Sequence, residues 1–300
     1  MAITLWLIYG TVCTVSTWPA LRSRSTLERA CWLFIPLSLP PLGLAMVAPP
    51  LAGAGWWYPG AGVTGIALII WLAGAMARAL DVHSTRPLIA PLLLSLAFNA
   101  VAPTTHVPAG VHAVSLPVEQ PPTDLKGALE ASLHYGQMLR SQGSSASQNG
   151  MTVIPENVLG PVSTGSIGLL QLPRTMTLVA GGFAPVPWAD SPQKGVWILP
   201  ARIFYPAIEP IPFVEPRLHP HWSAIGRTAK IAGRTYSLLV CFEAAASLPL
   251  YHLHYRTPVL LLGNGWWDRH GIMDIETSLA KAWARLYAAP LAISRGEPML

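Results

Sequence analysis

Charge is scarce in this chain. Only 11% of its 300 residues are Asp, Glu, Lys or Arg, against 52% apolar residues and a mean hydropathy of +0.42. That balance is unusual for a soluble protein. The net charge of +5 comes from scattered basic residues. No Lys/Arg stripe interleaved with aromatics occurs, so a nucleic-acid partner is not expected. Cysteine is scarcer still: Cys13, Cys31 and Cys241, with no paired spacing. This excludes a disulfide framework and a zinc knuckle. His219 with His221, and His252 with His254, form two short pairs, but neither has a carboxylate or cysteine at a usual ligand spacing. No metal or other cofactor is expected.

What is present is unevenly spread. Residues 1–102 carry only Arg22, Arg24, Arg29, Arg78 and Arg86 as basic residues and Glu28 and Asp81 as acidic ones. Four apolar segments, near 3–21, 30–50, 61–80 and 86–102, approach the roughly 20 helical residues that cross a bilayer core. The first has its arginines after the apolar run, an anchor pattern and not a signal-peptide pattern. Arginine placement keeps the first and third connections in the cytoplasm, and the uncharged Gly55–Gly60 connection outside. Four spans then put the soluble part in the periplasm of a bacterium, on a multi-pass inner-membrane protein with the lipid bilayer as its first partner. Pro36, Pro40, Pro41, Pro49 and Pro50 weaken the second span, and a re-entrant segment there would move the soluble part to the cytoplasm. The expected organisation is a membrane domain over 1–102, a linker over 103–111 and a globular domain over 112–300.

That domain alternates strands and helices, which predicts an α/β sandwich. A first strand is read over Val111–Leu116, then an amphipathic helix over Thr123–Gln142 capped by Thr123 or Asp124, with Leu125, Leu129, Leu133 and Met138 on one face. Met151–Ile154 is a strand that Pro155 stops, presenting Glu156 at its end. Further strands are read within Thr175–Gly182, Gly195–Leu199, Pro258–Leu262 and Leu291–Ile293, and a last helix capped by Asp274 or Thr277 runs through Tyr287. Trp266 and Trp267 read as packing residues. Phe204, Ile211, Phe213 and Val214 read either as core or as an apolar lip toward lipid.

The buried strand Ser237–Val240 delivers Cys241, with Glu243 two residues later. A thiol at a strand end beside a carboxylate is a candidate nucleophile. Taken in order, Pro155-Glu156, the proline-punctuated loop holding Glu209, Cys241-Phe242-Glu243, Gly263-Asn264-Gly265-Trp266-Trp267 and Ala284-Arg285-Leu286 resemble the nitrilase (carbon–nitrogen hydrolase) superfamily. With the apolar N-terminal third, the chain is similar to the membrane branch of that superfamily, the apolipoprotein N-acyltransferases and the conjugal-transfer TraB-like proteins.

The resemblance implies an αββα sandwich, C-terminally shortened because the chain stops at Leu300. It also implies three catalytic residues: Glu156 as general base, Glu209 as supporting carboxylate and Cys241 as nucleophile. The backbone N–H of Phe242 is a natural oxyanion donor, and Glu243 a supporting residue. The family's oxyanion lysine stands eight residues before the loop glutamate, where this chain has Ala201. Arg202 is the adjacent substitute, while Lys194 and Lys230 read as surface residues. Two functions follow. One is Cys-dependent acyl transfer or amide hydrolysis through an acyl-thioester, using an acyl donor and a lipoprotein or amide substrate. The other is an inactive accessory domain of a conjugal-transfer or envelope assembly.

Overall fold

The computed structural model describes Ser25, Glu28 and residues 50–118, 122–142, 150–173, 175–184, 193–208, 222–246, 248–265, 268 and 271–298. Of the four expected spans, 3–21 and all of 30–50 but Pro50 lie outside the described residues. The chain forms two compact units that interleave along the sequence. One gathers the described residues up to Thr105 with Ala245–Arg256 and Ser278–Ala289. The other takes His106–Ala244, Thr257–Thr277 and the residues from Pro290 onward.

The first unit holds α1 (Val63–Asp81) and α2 (Arg86–Ala100), preceded by a single helical turn at Ala54–Trp57. Among the described residues α1 is the one helix long and apolar enough to cross a membrane; α2 is apolar but shorter. Polar side chains tie the turn to α2: Tyr58 Oη donates to the Pro91 carbonyl (3.1 Å) and Ser95 Oγ to the Trp57 carbonyl (2.7 Å). Arg285, from the Ala-Arg-Leu segment, stacks over the Trp56 ring at 5.0 Å and donates to the Gly55 carbonyl and to Asn99 Oδ1. Gly55 lies so close to the Ala282 carbonyl that no Cβ fits there. The arginine of that segment is therefore a structural clamp.

The second unit is built on two five-stranded sheets. The first contains β1 (Val111–Ala113), β3 (Met151–Ile154), β4 (Thr177–Ala184), β5 (Gln193–Leu199) and β6 (Ile203–Pro206), in that order across the sheet. β1, β3 and β4 are parallel, and β5 and β6 antiparallel. The second sheet has the order β2 (Leu116–Val118), β10 (Leu291–Pro298), β9 (Val259–Asn264), β8 (Arg234–Val240) and β7 (Ala229–Ile231). Only β7 is antiparallel there.

The expected first strand is two strands in different sheets. The chain crosses between them at Val114, whose N–H donates to Val153 and whose carbonyl accepts from Ser294 Oγ at 2.6 Å. Period-two alternation sorts the side chains of each strand. Met151 and Val153 join Val179, Val196, Leu238, Val240, Leu260, Leu262 and Ala292 between the sheets. Ile154, Leu178, Ala180 and Leu199 face the other way, against α3 (Leu125–Gln142) and α4 (Thr164–Leu170).

Helix α3 starts where Asp124 Oδ1 accepts from Gly127 N at 2.7 Å, which settles the cap in favour of Asp124. Its buried stripe is Ala128, Ser132, Tyr135 and Leu139, whereas Leu125 and Leu133 are exposed. Leu125 and Leu133 of the expected face turn outward, while Leu129 and Met138 stay half-buried, because Gly136 packs on the backbone of Leu170, and only small residues allow that approach. Three layers, α/β/β, thus lie within this unit. Helix α5 (Ile272–Leu286), the expected fourth, begins in it and passes into the other unit.

Candidate active site

Glu156 and Cys241, the expected base and nucleophile, meet Lys194 and Glu276 inside the second unit. Glu156 follows β3 and is 1% exposed. Gly181 of β4 lies against its backbone so closely that any side chain there would strike the Glu156 Cα. This accounts for Gly181 inside a strand that continues to Ala184, while Gly182 lies against Val162 and the Gly160 carbonyl. Asn157, at φ +59°, turns the chain away and donates Nδ2 to Glu156 Oε1 at 3.0 Å.

The same oxygen accepts from Lys194 Nζ at 2.6 Å. Lys194 is 3% exposed, which corrects its assignment to the surface. The pairing of β5 with β4 puts Lys194 opposite Phe183, near the strand end beyond which Glu156 follows β3. Lys230 is exposed, as expected. A buried carboxylate and ammonium each carry a desolvation penalty of several kcal/mol, so a pair this close and this dry is built at a cost.

Arg202, expected to support the oxyanion, does not reach this site. It lies in the exposed turn between β5 and β6, at φ +57°, and Ala201 is in the same turn. β5 runs from Lys194, beside Glu156, to Leu199, opposite the start of β4. Roughly 17 Å of strand therefore separates that turn from the site. Counting back along the sequence fails because the cation enters at the beginning of β5 and not at its end. Glu209 lies outside the described residues, as do Trp266, Trp267, Ile211, Phe213, Val214, His219 and His221. Phe204 packs on Trp197, with ring centroids 5.0 Å apart.

Cys241 ends β8 at φ +48° and opens a short 3-10 helix, Cys241–Ala244. Left-handed backbone at a residue with a Cβ costs about 1–3 kcal/mol and persists only when its surroundings impose it. Glu243 is what imposes it. Its Oε2 accepts from Val240 N at 2.7 Å and its Oε1 from Ile208 N at 2.6 Å, so one buried carboxylate closes the turn and pins the β6 exit. Glu243 is a supporting residue in the strict sense, holding backbone. Phe242 follows the thiol in the first turn of the 3-10 helix, where backbone N–H groups have no partner within the helix.

The thiol itself is 1% exposed, and Sγ lies 3.9 Å from Glu276 Oε1, to which it donates. Burial pushes its pKa well up, and the charges of Glu156 and Glu276 push it further; Lys194 and a hydrogen bond from the Asn264 backbone work the other way. Glu276, on α5 and 2% exposed, is pushed up to about 8 by burial first and then by Glu156, against the pull of Lys194. At neutral pH the site therefore holds a thiol and a carboxylic acid beside a Glu156–Lys194 ion pair. Asp268 accepts from Met273 N at 2.7 Å and ties the loop after β9 to the first turn of α5. Asp274, one of the two expected caps, instead pairs with Arg295 at 2.6 Å.

Glu276 carries a signal legible in the sequence. It is the one carboxylate at the buried helical spacing Met273, Glu276, Ala280, Trp283. Lys194 had a fainter one, a lone ammonium opening an apolar strand.

Chemically, the cluster brings together a thiol at a backbone turn, a buried carboxylate–ammonium pair and a buried carboxyl group, the kinds of group that nucleophilic, proton-transfer and oxyanion-binding chemistry use. Along 278 aligned residues the chain is 27% identical to a protein from Agrobacterium fabrum described as conjugal transfer protein TraB. The chain is TraB-like in sequence. The match covers 85% of this chain and 63% of that protein. No protein-family model matches. Among solved structures, the chain is similar to a cysteine-to-alanine mutant of the Nesterenkonia AN1 amidase from the nitrilase superfamily (16% identity, 63% of this chain and 78% of that one, TM-score 0.43). It is also similar to a CN-hydrolase superfamily protein from Xanthomonas campestris (12% identity, 62% and 75%, TM-score 0.44).

Proposed function

We propose that this TraB-like chain is a membrane-anchored enzyme of the carbon–nitrogen hydrolase type. In this reading Cys241 attacks a carbonyl, forms an acyl-thioester and passes the acyl group to an amine or to water. The observation that carries it is the buried Glu156–Lys194 pair, 2.6 Å apart, in the electrostatic field of a buried thiol at a left-handed strand end. Glu156 takes the thiol proton as Sγ attacks, because burial and two carboxylates keep the free thiolate from forming beforehand. Lys194 and the Phe242 N–H bind the oxyanion of the tetrahedral intermediate. Ala201 is one ground for an inactive accessory role, and the buried Lys194 supports the enzymatic reading by supplying a cation that position 201 lacks.

Membrane attachment is part of the same reading. Helix α1 has 19 residues, about 28 Å of helix, with Arg78 in its last turn as an interfacial anchor. We place the chain in a bacterial inner membrane with the sandwich in the periplasm, serving conjugation machinery as the TraB likeness implies. The substrate on this reading is an amide or lipoprotein with an acyl donor.

Intact mass of the chain purified from membranes, before and after neutral hydroxylamine, tests the chemistry. A hydroxylamine-labile adduct on the wild type that is missing from Cys241→Ala is the expected result. An unmodified mass in cells and after incubation with acyl esters and amides would sink it.

A further inference from the structure

One carboxyl group in the site has no task in the mechanism above. Glu276 is 2% exposed, its Oε1 receives the thiol of Cys241 at 3.9 Å, and among the described residues its Oε2 has no hydrogen-bond partner. A buried carboxyl oxygen left without a partner costs about 1–3 kcal/mol or more, so a folded chain retains one only where something else will occupy it. The other oxygen of the same carboxyl group already lies against the nucleophilic sulfur. Whatever bonds to Glu276 is therefore a group attached to the carbon that sulfur attacks.

We propose that Glu276 is a second catalytic acid–base, distinct from Glu156, which protonates the amine leaving the acyl group and later deprotonates the amine or water that receives it. The inference rests on the acyl-thioester reading of Cys241. In acylation the Sγ–C bond forms and the thiol proton goes to Glu156. The C–N bond then breaks as the Glu276 carboxylic acid gives its proton to the departing nitrogen. In the second half the incoming N–H or O–H gives its proton to the Glu276 carboxylate. The C–S bond breaks, and Glu156 returns its proton to the sulfur. Both carboxyl groups end as they began.

The electrostatics fit this division. The Glu156–Lys194 pair neutralises itself, so Glu156 rests as a base, while burial and the nearby Glu156 charge hold the proton on Glu276 up to about pH 8. Two carboxyl groups whose surroundings push them apart in this way are the ordinary means of running acid and base steps in one site. The bare carboxyl edge also points to the substrate class: a primary or secondary amide, whose nitrogen carries an N–H for Oε2 and must be protonated to leave.

The test separates leaving groups. Full-length protein in detergent at pH 7 is mixed with p-nitrophenyl butyrate or with butyryl p-nitroanilide. Acylation of Cys241 is followed by intact mass in a single turnover. Nitrophenolate leaves without a proton and the anilide nitrogen does not. Glu276→Gln is expected to slow acylation by the anilide about 100-fold or more while leaving the ester within roughly fivefold, with Glu276→Asp intermediate. The retained ester reaction also shows that the variant is folded. Equal loss on both probes, or no loss on the anilide, would overturn the role of Glu276 and leave the Cys241 chemistry standing. Failure of the wild type to acylate with either probe would overturn both.

Discussion

The two units break the ordinary partition of residues in opposite directions. The first leaves apolar side chains uncovered: Val63, Met76 and Leu80 on α1, and Ile89, Leu93 and Leu96 on α2, are all exposed, Leu80 at 77%. The second buries charges: Glu156, Lys194, Glu243 and Glu276 are each at most 3% exposed. Neither arrangement repays itself in water. Uncovered leucines forfeit about 25 cal/mol per Å² of burial, and dry charges carry several kcal/mol each. The first deviation fits lipid as the solvent, and the second fits a site that must keep water out and hold protons in chosen places.

The sharpest way to break this contrast is to remove a buried charge. Lys194→Ala leaves Glu156 without its cation. Acylation of Cys241 is expected to fall by about 100–1000-fold, and chemical denaturation to show a loss of about 3–5 kcal/mol from a stranded buried carboxylate. An unchanged acylation rate would remove Lys194 from the mechanism.

Adding a charge to the other unit is the converse. Trp71→Arg, in the middle of α1, is expected to disfavour membrane insertion by about 2.5–3.5 kcal/mol. It would be read as a lower yield of chain in carbonate-washed membranes. Glu130→Arg, exposed on α3 beside Lys126, should leave that yield unchanged. Equal yields for both variants would mean that α1 does not face lipid.

Protons sharpen the comparison further. Glu276 faces Glu156, Lys194, Cys241 and Asp268, and it keeps its proton up to about pH 8, where an ordinary Glu releases it near 4.5. Between these values the folded chain binds a proton that the unfolded chain has lost, so stability falls as pH rises through that window and levels above it. Melting curves across pH 4.5–8.5 should show this slope in the wild type and a flatter one in Glu276→Gln. Identical slopes would place the titration elsewhere. The smallest effect is expected at Arg202→Ala. In an exposed turn at the far end of β5 it should change stability by within about 0.5 kcal/mol and leave acylation intact. A large loss there would restore the arginine to the site.

Sequence reasoning reached those parts of the molecule whose cause is local. Pro155 ends a β-branched run, so Glu156 stands at a strand end wherever that strand packs. Cys241 closes an apolar strand for the same kind of reason. Where a property depends on a partner distant in sequence, local reading went astray. Lys194 looks like any strand-edge lysine until β4 and β5 pair and bring it to Glu156. Leu125 and Leu133 of α3 look like buried positions until Gly136 meets Leu170. Val111–Leu116 looks like one strand until each half finds a different sheet.

By itself, then, the sequence determined the alternation of strands and helices, the apolar character of the N-terminal third, and the placing of one carboxylate and one thiol at strand ends. These follow from periodicity, proline and side-chain type over a few neighbouring residues. Only the tertiary structure decided which cation and which second carboxyl group join them. Burial and charge–charge coupling act through space, and Glu156, Lys194, Cys241 and Glu276 are neighbours only after two sheets have packed face to face.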